Sequence, residues 1–140
     1  MEYVRFASKV IIRIDKGEEI VAMLRNFCAE HKIKLASVSA IGAVNKVSIG
    51  IFNQDTKEYH PSEFSGNMEI VSLMGTITQM QGEVYAHLHI ALAEESYRLF
   101  GGHLNAAWVG PTCELVLDVI DGQVDRKFSE EVGLNLFNFK

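Results

Sequence analysis

The sequence predicts a single α+β domain over residues 1–140, a mostly antiparallel, twisted sheet of about seven strands with one principal helix packed against it. Three observations predict it. Strand-like runs, alternating or β-branched, recur along most of the chain. Only one segment, Glu18–His31, repeats apolar residues at helical spacing. Short glycine turns, Gln81-Gly82 and Asp121-Gly122, separate neighbouring runs. A chain of 140 residues builds one core and is too short for two ordinary domains.

Taken in order, Glu2–Ile14 is rich in β-branched residues and reads as a strand. Asp15 and Glu18 then stand at capping-box spacing, with Asp15 as the cap. Ile20, Met23, Leu24, Phe27 and Cys28 form the apolar stripe of the helix. His31 falls at its C-terminal end, where a cationic side chain suits exposed carbonyls, and is read as a cap. Ile33–Phe52 returns to strand character, with Gly42, Gly50 and the Val44–Val47 stretch marking bends or a bulge. Asn53–Lys57 is a polar loop, and Pro61 argues against a central strand around the surface residue His60. Met68–Met80 and Glu83–Ala93 make a hairpin. Glu94–Phe100 is a polar crossover with room for one helical turn. Thr112–Ile120 and Gln123–Phe128 are read as a second hairpin about Asp121-Gly122. The tail holds Leu134, Leu136, Phe137 and Phe139, which need a surface to cover them.

Composition narrows the function. Nearly half the residues are apolar and no apolar run approaches the ~20 residues of a membrane span. No leader pattern opens the chain, and a cytoplasmic location without membrane attachment is expected. Cys28 and Cys113 have no C-x-x-C partner and read as buried thiols in a reducing compartment. The net charge is −5, and the basic residues are scattered. Arg5, Lys9, Arg13 and Lys16 lie near the start, Lys32 and Lys34 after the helix, Arg126 and Lys127 late. Such a chain lacks the basic patch expected of a phosphate-driven nucleic-acid binder.

The chemistry concentrates in Tyr85–Leu104, which holds three of the five histidines. Read as a strand, Ala86, Leu88, Ile90 and Leu92 face the core, while Tyr85, His87, His89, Ala91 and Ala93 share the other face. Residues i and i+2 of a strand lie ~6.5–7 Å apart, so two imidazoles there reach one ion. Gly101-Gly102-His103 is the source of a third, its glycines allowing a bend and a close approach. Three neutral imidazoles without a thiolate point to zinc or a similar divalent metal, with a fourth position left for water or a ligand. The plainer reading leaves His87 and His89 as hydrogen-bonding residues of a half-exposed face.

Several segments together carry a family resemblance. They are Ile12–Ile20, Ser39–Val44, Phe64–Gly75, His87-Leu88-His89 and Gly101-Gly102-His103-Leu104, in that order. The chain resembles the PPC domain, the plant-and-prokaryote-conserved domain, in its stand-alone prokaryotic form. That resemblance implies an α+β fold similar to acetolactate decarboxylase, a homotrimer, and a zinc ion held by His87, His89 and His103. It also implies DNA binding, a label the net charge does not support. Two functions are compatible with it: a trimeric metal-binding module with a regulatory or DNA-associated role, or a zinc-dependent lyase or hydrolase acting on a small anionic substrate. The second requires an acid, a base or a cation beside the ion. Arg13, Arg98, Glu69, Glu83, Glu94 and Glu114 are the candidates, with Tyr85 as a hydrogen-bond donor. Trp108 is expected in the core or an interface.

Overall fold

A computed structural model describes residues 1–139. It contains eight strands and one helix: β1 (Glu2–Phe6), β2 (Lys9–Asp15), α1 (Ile20–Glu30), β3 (Ala36–Asn53), β4 (Glu58–Met80), β5 (Glu83–Glu94), β6 (Leu99–Val119), β7 (Asp125–Ser129) and β8 (Leu134–Asn138). The α+β class stands. The strand count is eight because Glu2–Ile14 breaks into the β1–β2 hairpin, with Ala7 at positive φ in the turn, and because the tail adds β8.

The central feature is a closed ring of ladders. β3 pairs with β4 and β6, and β5 also pairs with β4 and β6, all antiparallel. β2 extends the ring from β6, and β1 lies outside it. β4 meets β5 in the expected hairpin, with Gln81 and Gly82 both at positive φ, as a two-residue turn requires. The half of β4 that contains His60 and Pro61 pairs only with β3, so proline sits on an edge, where its missing N–H costs nothing. Register shifts in β3 at Ala40/Gly42 and Val44/Lys46 are the bends foreshadowed by Gly42 and Val44–Val47.

The core lies between the ring and α1. Leu88, Ile90 and Leu92 of β5 and Leu115 and Leu117 of β6 are buried with Ile20, Leu24, Phe27 and Cys28 of the helix. The helix starts later than the capping-box spacing implies. Its N-cap is Glu19, whose carboxylate accepts from the Val21 and Ala22 amides, while Asp15 closes β2 and accepts from the Met1 amine. Glu19 also accepts from the Ala107 amide at 2.9 Å, which ties the helix to β6. His31 is the C-cap, its ring against Phe27 and Tyr3.

Three other expectations need correction. Glu94–Phe100 holds no helical turn; Tyr97 adopts positive φ and the chain passes directly from β5 into β6. Thr112–Ile120 is not a strand of its own; it continues the long β6, which runs through Pro111 at the shift between Val109↔Val44 and Cys113↔Gly42. Asp121-Gly122 makes no hairpin; β7 instead lies parallel to β4 through Gln79↔Asp125 and pairs with β8. The apolar tail thereby becomes a strand, although Phe137 and Phe139 stay substantially exposed.

Glycines decide how closely the ring closes. A Cβ on Gly75 would lie 2.0 Å from the His87 carbonyl oxygen, so only glycine lets β4 approach β5 there. On Gly110 the nearest atom would be 3.5 Å away, an ordinary contact. Gly75→Ala should therefore cost about 1–3 kcal/mol in urea unfolding, against roughly 0.5 kcal/mol or less for Gly110→Ala. Equal effects would show that the β4–β5 spacing is not set by Gly75.

Candidate metal centre

The three histidines of Tyr85–Leu104 meet because of strand geometry alone. His87 and His89 occupy the same face of β5, two residues apart. His103 of β6 pairs directly with His89 and, on its other side, with Gly50 of β3. Cross-strand partners point to the same face, so all three rings converge. One ligand atom from each lies within 4.8 Å of the other two, and the ring centroids are 5.2, 5.2 and 5.6 Å apart. The glycines before His103 produce no bend. A Cβ on Gly101 would sit 2.1 Å from the Ile90 carbonyl oxygen and one on Gly102 2.7 Å from the Gly50 carbonyl oxygen, so the pair admits close approach of β6 to β5 and to β3.

The surroundings come from elements that sequence reasoning did not connect to the histidines. Tyr59 of β4 stands edge-on to His103 and donates to Asn105 at 2.7 Å. On the opposite side lies Arg126 of β7, in sequence merely one of a late basic pair. Arg126 is buried, its guanidinium carbon 4.7 Å from the centre of the Tyr85 ring and 4.5 Å from that of Phe137. Nε donates to Thr78 Oγ1 at 2.9 Å and Nη1 to the Asn135 carbonyl at 2.8 Å. Nη2 is held more loosely, 3.5 Å from Thr76 Oγ1 and 3.5 Å from His87 Nδ1. No spacing rule could have found Arg126, because the parallel β4–β7 contact delivers it from outside the ring.

The candidates named from sequence lie elsewhere. Arg13 forms exposed ion pairs with Asp15 and Glu2, and Arg98 pairs with Glu94. Glu69, Glu83 and Glu114 are exposed, and Lys46 lies over Trp108, which is half-buried. None of these carboxylates joins the histidine cluster among the described residues. Tyr85 faces the site as expected, as the platform under Arg126 and an acceptor for Asn135 Nδ2. Cys28 and Cys113 are buried, and burial pushes both thiols up to about 12.

Electrostatics favour neutral rings. Burial, and then the charges of His103, Arg126 and His89, push His87 down to about 4. His103 is lowered too, by burial and by His89. Neutral imidazoles are the form in which histidine binds a metal. Ligand nitrogens around one zinc at ~2.0–2.1 Å would lie roughly 3.3 Å apart, within reach of small ring rotations from the observed arrangement. The donor set therefore fits a borderline divalent ion with at least one further position open.

A β-ring carrying one helix and a three-histidine face defines a small family of proteins, and comparison identifies it. The chain belongs to the Plants and Prokaryotes Conserved (PCC) domain family, whose model matches residues 1–121. Among solved structures, a "putative DNA binding protein" from Bacteroides thetaiotaomicron superposes with a TM-score of 0.96 at 34% identity, covering 99% of this chain and 96% of that one. A metal-containing protein from Archaeoglobus fulgidus gives 0.89 at 32% identity, covering 99% and 97%. Acetolactate decarboxylase from Bacillus subtilis subspecies spizizenii shares the fold, with a TM-score of 0.59 at 16% identity over 83% of this chain and 54% of that one. Two curated relatives are each 30% identical. They are the bifunctional protein GlmU of Synechococcus, matched over 87% of this chain, and AT-hook motif nuclear-localized protein 14 of Arabidopsis thaliana, over 84%. The chain spans only 19% and 28% of their respective lengths.

The depressed histidines make stability depend on pH in a definite direction. An unfolded His87 takes its proton near 6.5, whereas the folded one resists until about 4. Its contribution is thus fully present above 6.5 and is lost as the pH falls through that window. Chelator-treated protein should hold its melting temperature from pH 8 to 7 and lose several degrees by pH 5. His87→Phe should flatten that slope. A profile unchanged by the substitution would show that His87 is not the group responsible.

Proposed function

We propose that the chain is a homotrimeric metal-binding module whose three-histidine centre, His87, His89 and His103, takes zinc. The observation that carries this reading is the convergence of three imidazole donors on one sheet face. When bound, such an ion polarises a carbonyl or lowers the pKa of water to about 7. Around it, Tyr59, Tyr85 and Arg126 shape and charge the approach. A lyase or hydrolase acting on a small anion is the second reading, favoured by one feature, the cation Arg126 beside His87.

The trimer is supported by an uncovered, mostly apolar row on the sheet face away from α1. Ladder partners carry it strand by strand through His89, Met74, Ser39, Val116, Ile11 and Val4. Met74 is 62% exposed and Val4 47%, a contiguous surface that a second copy would bury.

The first test is elemental analysis of tag-free protein with its mass in solution. About one zinc per chain and a mass near three times 15.6 kDa are expected. His87→Ala/His89→Ala should lose the metal and keep its far-ultraviolet dichroism. Wild-type protein that stays metal-free after zinc is added would refute the centre.

A regulatory or DNA-associated role has one structural support. Arg5, Lys32 and Lys34, distant in sequence, line a single depression of about 460 Å³ with His31, Ser8 and Asp121. If that depression meets phosphates, mobility shifts of a random duplex at low salt should appear with wild type and weaken with Lys32→Ala/Lys34→Ala. No shift in either protein would remove phosphate-driven DNA binding, since low salt favours it most.

A further inference from the structure

Among the described residues, Arg126 is a buried cation whose contacts are two threonine hydroxyls, one carbonyl, one imidazole and two aromatic faces, none of them a carboxylate. Buried charges are ordinarily paired, because an unpaired one carries the full cost of leaving water. Under the metal reading of the histidine cluster, on which the inference rests, the imbalance grows. A divalent ion on three neutral imidazoles adds two positive charges beside the guanidinium, and no carboxylate belongs to the cluster among the described residues. Ligand histidines usually turn their second nitrogen to a carboxylate or carbonyl. His87 turns Nδ1 to a group that can only donate.

Proton bookkeeping on His87 adds a second constraint. At 3.5 Å from Arg126 Nη2, Nδ1 accepts only in the tautomer that carries the ring proton on Nε2. If His87 gives the lone pair of Nδ1 to an ion, that lone pair no longer accepts from Arg126. If it gives the lone pair of Nε2, the proton moves to Nδ1, which again cannot accept. Either way the Nη2 N–H loses its acceptor when the ring becomes a ligand. Nη2 is also the least firmly held nitrogen of the guanidinium, with both contacts at 3.5 Å, while Nε and Nη1 are anchored at 2.9 and 2.8 Å.

The geometry points to a composite anion site, in which Arg126 Nη2 and the open metal position together bind one small carboxylate. One oxygen accepts from Nη2 in place of His87 Nδ1, and the other meets the ion. The carboxylate neutralises part of the excess charge and restores the lost hydrogen bond. The Tyr85 and Phe137 rings lie against the guanidinium at 4.7 and 4.5 Å, which favours approach of an anion along its N–H edge. A flat carboxylate fits that approach with less displacement than a tetrahedral phosphate. Arg126, in β7, lies beyond residues 1–121 matched by the family model.

Cobalt(II) titration of the intact protein, followed by its visible absorption, tests this without any assay of turnover. Sodium acetate should tighten cobalt binding about tenfold over sodium perchlorate at equal ionic strength, the size of one charge-assisted hydrogen bond. Phosphate should tighten it less. In Arg126→Met the acetate effect should vanish, while cobalt alone binds as well or better because a neighbouring positive charge is gone. Arg126→Lys, which keeps the charge and lacks the fork, should retain cobalt and lose most of the acetate effect. Melting curves of both variants establish that they fold, and the wild-type comparison of acetate with perchlorate needs no variant. If acetate leaves wild-type cobalt affinity and spectrum unchanged, or acts equally on Arg126→Met, the carboxylate site is overturned and the metal centre stands. If phosphate outcompetes acetate, the carboxylate assignment is overturned. If cobalt fails to bind at all, both fall.

Discussion

Everything at the candidate centre depends on one residue being paired on both sides. His103 lies in β6 between Gly50 of β3 and His89 of β5, and that double pairing closes the four-strand ring. Closure fixes the register of β5 against β6, and the register alone decides that His103 faces the same way as His87 and His89. A slip of one residue would turn His103 toward the core and bring Gly102 or Leu104 into its place. The bare backbones of Gly75 and Gly101 are what allow the strands to come that close. The site is therefore a by-product of the ladder, held by backbone hydrogen bonds in place of a loop.

The second organising fact is electrical. The chain as a whole is acidic, yet the histidine face looks onto a buried arginine, and no acid joins the histidine cluster among the described residues. On the proposed reading, three imidazole donors beside a fixed cation take a metal in the company of an anion. That arrangement differs from a structural zinc site, where four protein ligands complete the shell.

Local pattern reveals some of this and misses the rest for identifiable reasons. Alternation in Tyr85–Ala93 is a property of neighbours along the chain, so the facing of His87 and His89 and the hairpin before them can be read directly. His103 is visible as a third donor, but the glycine bend expected before it is absent, because sequence does not distinguish a glycine that turns a chain from one that admits a neighbouring strand. The cap moves from Asp15 to Glu19 because the helix begins only after a turn tied to β6. Arg126 is invisible as a site residue. Its position depends on a single parallel contact between strands far apart in sequence, and nothing in the spacing of the late basic pair encodes it.

The hairpin that carries Arg126 is also anchored at its far end. Lys57, in the β3–β4 turn, donates to the Glu130 carbonyl, and Gly133 lies against Phe52 and Lys57. One short ribbon thus bridges the outer tip of the sheet and the histidine face. The length of chain on either side of β7 is therefore set by two fixed points, the Gln79↔Asp125 pairing and the Lys57–Glu130 hydrogen bond. A residue gained between Gly122 and Arg126 would rotate the arginine off the site, and one gained in the Glu130–Gly133 turn would pull the ribbon from its anchor.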